Sequence, residues 1–357
     1  MHVLALVTDA FGGHGGIAQY NRDFLTALSM SKYVTDVTVL PRFGTPSEAL
    51  PARLIQMPSY PNRFAWSAKV LGRAIQNRPD LVYCGHLNAM PLAAAIRRLH
   101  ACSIWLQVHG IEAWSDRSEL VRRAVDSSKL ITSVSRHTRN RLLSWCDLDP
   151  DRVRVLPNTL SAVHQERAKR HDLVAQHSLH GRKVILTVGR LAASEAYKGH
   201  DRIIRCLPRL RGVVPEAVYL IVGSGNDRPR LERLAREWGV ADVVIFAGQV
   251  AATELPDYYA LADVFAMPST GEGFGIVFLE AAKHGLPVIG GNRDGSVDAL
   301  ADGAIGTPVD PEDAHALTAS LVNALTGGNP GSAASVERFA FQNFAHHVDD
   351  LVQTLAR

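Results

Sequence analysis

The sequence predicts an α/β protein made of two doubly wound domains facing a central cleft. Short apolar runs alternate with longer stretches of helical periodicity along the chain, the pattern of βαβ units and parallel sheets. That pattern restarts near residue 183, after the polar stretch "HQERAKRHDLVAQHS" at 164–178, which reads as a linker. The length of 357 residues, 46% of them hydrophobic, suffices for about two ordinary cores. Open parallel sheets bind ligands at the carboxyl ends of their strands. Two facing sheets would therefore place one ligand in the cleft.

In the first half, "HVLALVT", "DVTVL", "LVYCG", "SIWLQVHG", "KLITSVS" and "RVRVLPN" read as strands. The segment "IAQYNRDFLTALS" after the first strand reads as a helix, with Ile17, Tyr20, Phe24 and Leu28 on one stripe. In the second half the strands are "KVILTVGRL", "AVYLIVGSG", "VVIFAGQV", "ADVFAMPS", "LPVIGG" and "GTPVD". The C-terminal "SVERFAFQNFAHHVDDLVQTLAR" has the apolar spacing of one or two helices.

Composition excludes several classes. No apolar run reaches the roughly 20 residues of a membrane span, and "MHVLALVTDAF" lacks a basic leader and reads as a first strand, not a signal peptide. Cys84, Cys102, Cys146 and Cys206 are scattered, which fits neither a zinc ribbon nor a disulfide framework and points to a reducing compartment. The net charge of +3 is uneven: residues 1–165 hold 19 Lys and Arg against 12 Asp and Glu, a net +7. Such a half either meets an anionic partner or membrane surface or is simply a solvated basic face. No basic run is interleaved with aromatics, which argues against nucleic acid.

"TDAFGGHGGIAQYNRDF" follows the first strand and opens a helix. Gly12, Gly13, Gly15 and Gly16 permit close backbone approach, and the helix start offers free N–H groups, so the loop suits a phosphate or is a flexible turn. A nicotinamide fingerprint needs other spacing and an acid ending the second strand, where "VTVLPRF" has none.

In the second half, Arg190 follows a strand and Lys198 stands at a helix start. Two cations at strand ends suit a diphosphate, Arg as a fork of donors and Lys as a point charge. The stretch "GEGFGIVFLE" carries Glu272 and Glu280 eight positions apart. Continuous helix would separate their Cα atoms by about 12 Å, longer than the roughly 5–9.5 Å of a glycosidase carboxylate pair. That separation suits the two ends of one elongated ligand. Glu280, among apolar neighbours in the first turns of a helix, either complements the helix dipole or accepts from vicinal hydroxyls. Asp147, Asp149 and Asp151 in "CDLDPDRV" form a DxD pattern that reads as a turn before a strand rather than a metal site.

These residues resemble retaining glycosyltransferases of family 4, which have the GT-B fold of two Rossmann-like domains. The resemblance covers nearly the whole chain. Its most specific element is the pair Glu272 and Glu280 in "GEGFGIVFLEAAKHGLPVIGG", supported by the Gly-rich loop, "QVHGIEAW", "PDRVRVLPN", "VGRL…YKGHD", "IVGSG" and "ADVFAMPS". It implies domains of 1–165 plus about 341–357, binding the acceptor, and 166–340, binding a nucleotide-sugar. Glu280 would hold the ribose, and Glu272 the donor sugar's hydroxyls. Backbone N–H groups of Phe274, Gly275 and Ile276 would contact sugar and phosphate. Arg190 and Lys198 would neutralise the leaving diphosphate in place of a metal, with the Gly15–Gly16 turn touching it, so no cofactor is expected. His109 would sit by the donor sugar; a lone histidine is otherwise a core residue.

The resemblance further implies a GDP-mannose or UDP-hexose donor, with a lean to the former. The acceptor would be a glycan, lipid-linked at the cytoplasmic membrane face, in exopolysaccharide-type biosynthesis. The segment "NRFAWSAKVLGRAIQNR" would then be a cationic surface helix or an ordinary one packed on its sheet. Same-fold rivals are an epimerase or a phosphorylase, and a rival of another class is a non-catalytic nucleotide-sugar-binding subunit. The chain departs from the family at "PNTLSA", where "PNG" with a following Asp is usual, and in the longer Arg190–Lys198 spacing. The acid usual after "GG" is read here as Asp298, without a role.

Overall fold

A computed structural model describes residues 1–46, 49–160, 167–328 and 333–356. The chain divides into two compact units, Met1–Ser161 with Phe339–Arg357, and Ala162–Arg338. Among the described residues no helix is long and apolar enough to cross a membrane, and the four cysteines are buried and free.

Unit 1 is built on seven strands: β1 (His2–Val7), β2 (Asp36–Pro41), β3 (Leu54–Gln56), β4 (Leu81–Cys84), β5 (Ser103–Val108), β6 (Leu130–Ser133) and β7 (Val153–Val155). They form one parallel sheet in the order β3-β2-β1-β4-β5-β6-β7, reversing direction of growth after β3, as in doubly wound folds. Alternate side chains feed the two faces. Leu4, Leu6, Val82, Ile104 and Leu106 pack with Val70 and Ala74 of helix Arg63–Asn77 and Ile96 of helix Met90–Leu99. On the other face, Phe24 of helix Gly16–Met30 stacks on Tyr83 at 4.2 Å and meets Trp105 edge-on at 4.9 Å.

Of the stripe expected on that helix, Tyr20, Phe24 and Leu28 are buried, but Ile17 is 36% exposed. The C-terminal helix Phe341–Ala356 lies against helix Gly16–Met30, with Phe344 edge-on to Tyr20 and the Ser31 hydroxyl donating to Asp349. The chain re-enters unit 1 at a parallel bridge between Leu160 and Ala340.

Unit 2 has six strands: β8 (Lys183–Val188), β9 (Ala217–Val222), β10 (Val244–Gly248), β11 (Val264–Met267), β12 (Val288–Gly291) and β13 (Thr307–Val309). Their order is β10-β9-β8-β11-β12-β13, again parallel. Both sheets bury near-continuous apolar strands, as parallel sheets covered on both faces do.

Two expectations need correction. The strand β3 went unread in the sequence because it has three residues and exposes Ile55 at 56%. The stretch read as a linker is partly helical: His171–Gln176 forms a helix and Leu173 is buried. Arg167 and Arg170 both bind the buried carboxylate of Asp257, at 3.0 and 3.2 Å, so this segment is anchored on unit 2. The start of that stretch, residues 164–166, lies outside the described residues.

Candidate active site

The loop after β8 and the loop after β11 bring together charges that lie far apart in sequence. Lys198 ends a short turn, Ala193–Lys198, and is followed by Gly199 at φ 82°. A Cβ on Gly199 would lie 2.4 Å from the carbonyl oxygen of Pro268, so only glycine lets the two loops touch. The contact carries Lys198 to Glu272, whose Oε1 accepts from Nζ at 2.8 Å. Glu195 lies 3.5 Å from the same ammonium and also pairs with Arg190. The result is a charge chain, Arg190–Glu195–Lys198–Glu272. Glu195, Lys198 and Glu272 have side chains 11–13% exposed, whereas Arg190 is 80% exposed.

Burial alone would lower the pKa of Lys198. The carboxylate of Glu272, by charge and by hydrogen bond, with Tyr197 and Glu195, outweighs it and raises the lysine above its ordinary value. Lys198 is therefore a fixed cation at any physiological pH.

Glu272 is itself held in place. Its backbone N–H donates to Asp294 Oδ2 at 2.7 Å, and the same oxygen accepts from the Ser269 hydroxyl at 2.8 Å. The other oxygen of Asp294 accepts from the N–H of Ser296 at 2.9 Å. Asp294 is 2% exposed; burial raises its pKa and these hydrogen bonds oppose the rise. The acid built into this loop is thus Asp294, four positions before the Asp298 read from the sequence, which lies in the short helix Ser296–Ala299. The dipeptide Asp294–Gly295 followed by Ser296 was the available signal, an aspartate turned back on its own backbone.

Past Glu272 the chain enters helix Ile276–Lys283 through Gly275 at φ 87°, with no side-chain cap. A Cβ there would strike the Phe278 ring at 2.5 Å. Among the described residues the N–H groups of Gly275 and Ile276 have no hydrogen-bond partner, and the positive end of the helix dipole lies there, an anion-binding arrangement. Phe274, whose backbone was expected to serve with them, is buried. Glu280 stands one turn further on, and its Oε2 accepts from the hydroxyl of the fully buried Tyr259 at 2.7 Å. Burial first, and then the Glu280 charge, hold that phenol well above the usual tyrosine range, so it stays a donor. Glu195, Tyr259 and Asp294 were not read from the sequence. Of these, Glu195, an acid three positions before Lys198 between two cations, left a signal; Tyr259, in "LPDYYAL", left none.

In unit 1, Gly15 caps helix Gly16–Met30 at φ 92°, and a Cβ at Gly15 or Gly16 would meet open space. The first turn has no acid and no side-chain cap. Arg22 ties the loop by donating to the carbonyls of Ala10 and Gly13 at 3.0 and 2.8 Å. His109, just beyond β5, is 8% exposed; its Nε2 lies 3.0 Å from the Gly85 carbonyl and its ring stands edge-on to Tyr20. Burial pushes its pKa down to about 4, so the imidazole is neutral near pH 7. The DxD aspartates do not converge: Asp149 caps the turn Pro150–Arg152 by accepting from the Asp151 N–H at 2.9 Å.

Two parallel-sheet units, one with a fixed cation and an uncapped helix start at its strand ends, define a GT-B glycosyltransferase. The fold matches the crystal structure of Anabaena HepE in complex with UDP and glucose, with a TM-score of 0.77 and 18% identity over 99% of this chain and 100% of that one. Sucrose-phosphate synthase from Thermosynechococcus elongatus matches with a TM-score of 0.76 and 19% identity over 99% of each chain. The family described as Glycosyltransferase Family 4 matches residues 14–162, and Glycosyl transferases group 1 matches 169–338. The chain belongs to glycosyltransferase family 4.

Its relatives include the GDP-mannose-dependent alpha-(1-6)-phosphatidylinositol monomannoside mannosyltransferase of Mycobacterium tuberculosis, 32% identical over 86% of this chain and 85% of that one. The protein of the same description from Mycolicibacterium smegmatis is 35% identical over 69% of this chain and 66% of its own length. The D-inositol 3-phosphate glycosyltransferase of Stackebrandtia nassauensis is 32% identical over 75% of this chain and 61% of its own length.

Proposed function

We propose that the chain is a retaining mannosyltransferase that moves mannose from GDP-mannose to a phosphatidylinositol-type glycolipid, without a metal. The observation that carries this reading is the Lys198–Glu272 contact beside the uncapped start of helix Ile276–Lys283. A donor diphosphate meets there a permanent cation and free N–H groups, and Arg190 adds an exposed fork of donors. Glu280 and Tyr259 form a carboxylate–phenol pair suited to a ribose, while Glu272 is free to accept from sugar hydroxyls once phosphate shares Lys198. The bond from the sugar's anomeric carbon to the β-phosphate oxygen breaks. The acceptor oxygen bonds to that carbon on the same face, and its proton passes to the departing phosphate oxygen. The charge that builds on the leaving group is offset by Lys198 and Arg190, a role a divalent ion fills elsewhere. His109, neutral and buried, acts by position rather than charge.

The GDP-mannose donor and the glycolipid acceptor are supported by the relatives' names, which favour an inositol glycolipid over an exopolysaccharide acceptor. Peripheral membrane contact is supported by helix Arg63–Asn77. It buries Trp66, Val70 and Ala74 on its sheet yet exposes Phe64 and Ile75 at 71% and 60%, along with Arg63 and Lys69. The basic half and an anionic lipid surface are complementary.

The test is turnover of GDP-mannose and UDP-glucose with phosphatidylinositol monomannoside, read as nucleoside diphosphate release, with the product's anomeric configuration determined by NMR. Expected are transfer from GDP-mannose with retained configuration and activity within about twofold in excess EDTA, since loss of an essential Lewis acid costs orders of magnitude. Inverted product, or EDTA inactivation rescued by Mg²⁺, overturns the corresponding part of the reading.

A further inference from the structure

Unit 1 holds a cavity of about 1050 Å³ at the amino-terminal ends of its strands, opposite the ends that carry His109. Ser103 opens β5, Lys129 directly precedes β6, Arg152 directly precedes β7, and all three line it. Its walls are helix Met90–Leu99 and helix Glu119–Asp126.

The lining is strongly basic. Arg97, Arg98, Arg123, Lys129 and Arg152 face two carboxylates, Glu119 and Asp126. Both carboxylates are already taken, Glu119 by Arg123 at 2.7 Å and Asp126 by Arg152 at 3.1 Å. Lys129 donates to the Leu355 carbonyl and has no ion-pair partner among the described residues. Arg97 and Arg98 have no hydrogen-bond or ion-pair partner among the described residues. Their place in the last turn of a helix accounts for two cations there by the dipole. It does not account for a half-open hollow with a third cation, unpaired among the described residues, on its floor. Ser128, 2% exposed, also lines the hollow, and its hydroxyl has no partner among the described residues. Ser103 and Ser127 add hydroxyls, and Ala94, Ala95 and Leu120 give an apolar part of the wall.

We propose that this cavity binds a phosphate-bearing ligand at a site separate from the nucleotide-sugar site, which lies in the other unit. Uncancelled guanidinium groups beside an ammonium match phosphate oxygens in geometry and charge, and a hollow concentrates their field. The volume is that of a small-molecule pocket, and the alanine and leucine wall accepts a carbon skeleton. The shared chemistry is a phosphate ester, either a soluble metabolite or a phospholipid headgroup.

Titration calorimetry on the full chain with sn-glycerol 3-phosphate, and separately with monomeric dihexanoyl phosphatidylglycerol, distinguishes the two sources. The variants are Arg97→Ala/Arg98→Ala, which removes the charge, and Ala95→Trp, which fills the hollow from a half-buried position of its wall; melting temperature checks folding. Saturable binding of the glycerol phosphate, weakened about tenfold or more in both variants, supports a soluble ester. Binding of the short-chain lipid alone, weakened in the same variants, supports a headgroup. Affinity unchanged in both folded variants, or no saturable binding of either probe, overturns the proposal.

Discussion

The first strand of each unit runs into a loop that ends on a glycine at positive φ, Gly15 before helix Gly16–Met30 and Gly199 before helix His200–Arg211. The two turns share a topology and differ in everything attached to it. Around Gly199 the backbone is clamped against Pro268 and the neighbouring lysine is enclosed by two carboxylates from separate loops. Around Gly15 there is open space, no acid in the first turn, and a loop tied through its backbone by Arg22, Asn21 and Gln56. The contrast teaches that the βα turn supplies backbone donors, and that side chains delivered from other strands decide whether it becomes a charged centre.

The largest expected effect comes from removing the charge that distinguishes the two turns. Lys198→Ala should lower kcat by about 10²–10³-fold, the usual loss when a preorganised electrostatic group is deleted. A kcat unchanged in a folded variant would place the leaving-group charge elsewhere.

Next is the acid that fixes Glu272. Asp294→Ala leaves the Ser269 hydroxyl and the Glu272 and Ser296 N–H groups without their acceptor. Each unmet buried partner costs about 1–3 kcal/mol, so chemical denaturation should show a loss of roughly 3 kcal/mol or more. Asp294→Asn, which keeps one acceptor oxygen, should lose less; equal losses would mean that cavity formation, not hydrogen bonding, sets the cost.

The glycines sharpen the comparison directly. Gly15→Ala should cost about 1 kcal/mol for its positive φ alone. Gly199→Ala adds the collision with the Pro268 carbonyl and should cost at least about twice as much, read as denaturation midpoints. Equal midpoints would mean that the loop of unit 2 yields as freely as that of unit 1.

Near neutral pH the smallest effect is one the two units share, because it develops only on acidification. Burial pushes both His109 and His200 down to about 4, the latter hydrogen-bonded through Nδ1 to Tyr219. In the unfolded chain each titrates near 6.5. Between about 6.5 and about 4 the unfolded state binds protons that the native state refuses, so stability falls as pH drops through that window. Melting temperatures of His109→Gln and His200→Gln should decline less steeply over it than those of the parent chain. Parallel slopes in all three proteins would assign the acid sensitivity to other groups.

The strands and their order of appearance were legible because parallel strands buried on both faces are apolar runs that need no partner to be seen, as in "HVLALV" and "KVILTV". The three-residue β3, with Ile55 in solvent, carries no such signature. Arg167 and Arg170 read as solvated linker charges because their partner, Asp257, lies far along the chain. Lys198, Glu272 and Glu280 could be singled out as candidates from the sequence, because the glutamates share one short motif and the lysine stands at a helix start after a strand. Which residues hold them was decided by the tertiary structure. Lys198 meets Glu272 across 74 positions, Glu280 meets Tyr259 across 21, and Asp294 reaches back 22 to the Glu272 N–H. Local periodicity fixes which segments are buried and which ends of them are exposed. The protonation of a buried group depends on the charges and dipoles within a few ångströms of it, and only the packing of separate strands and loops sets those neighbours.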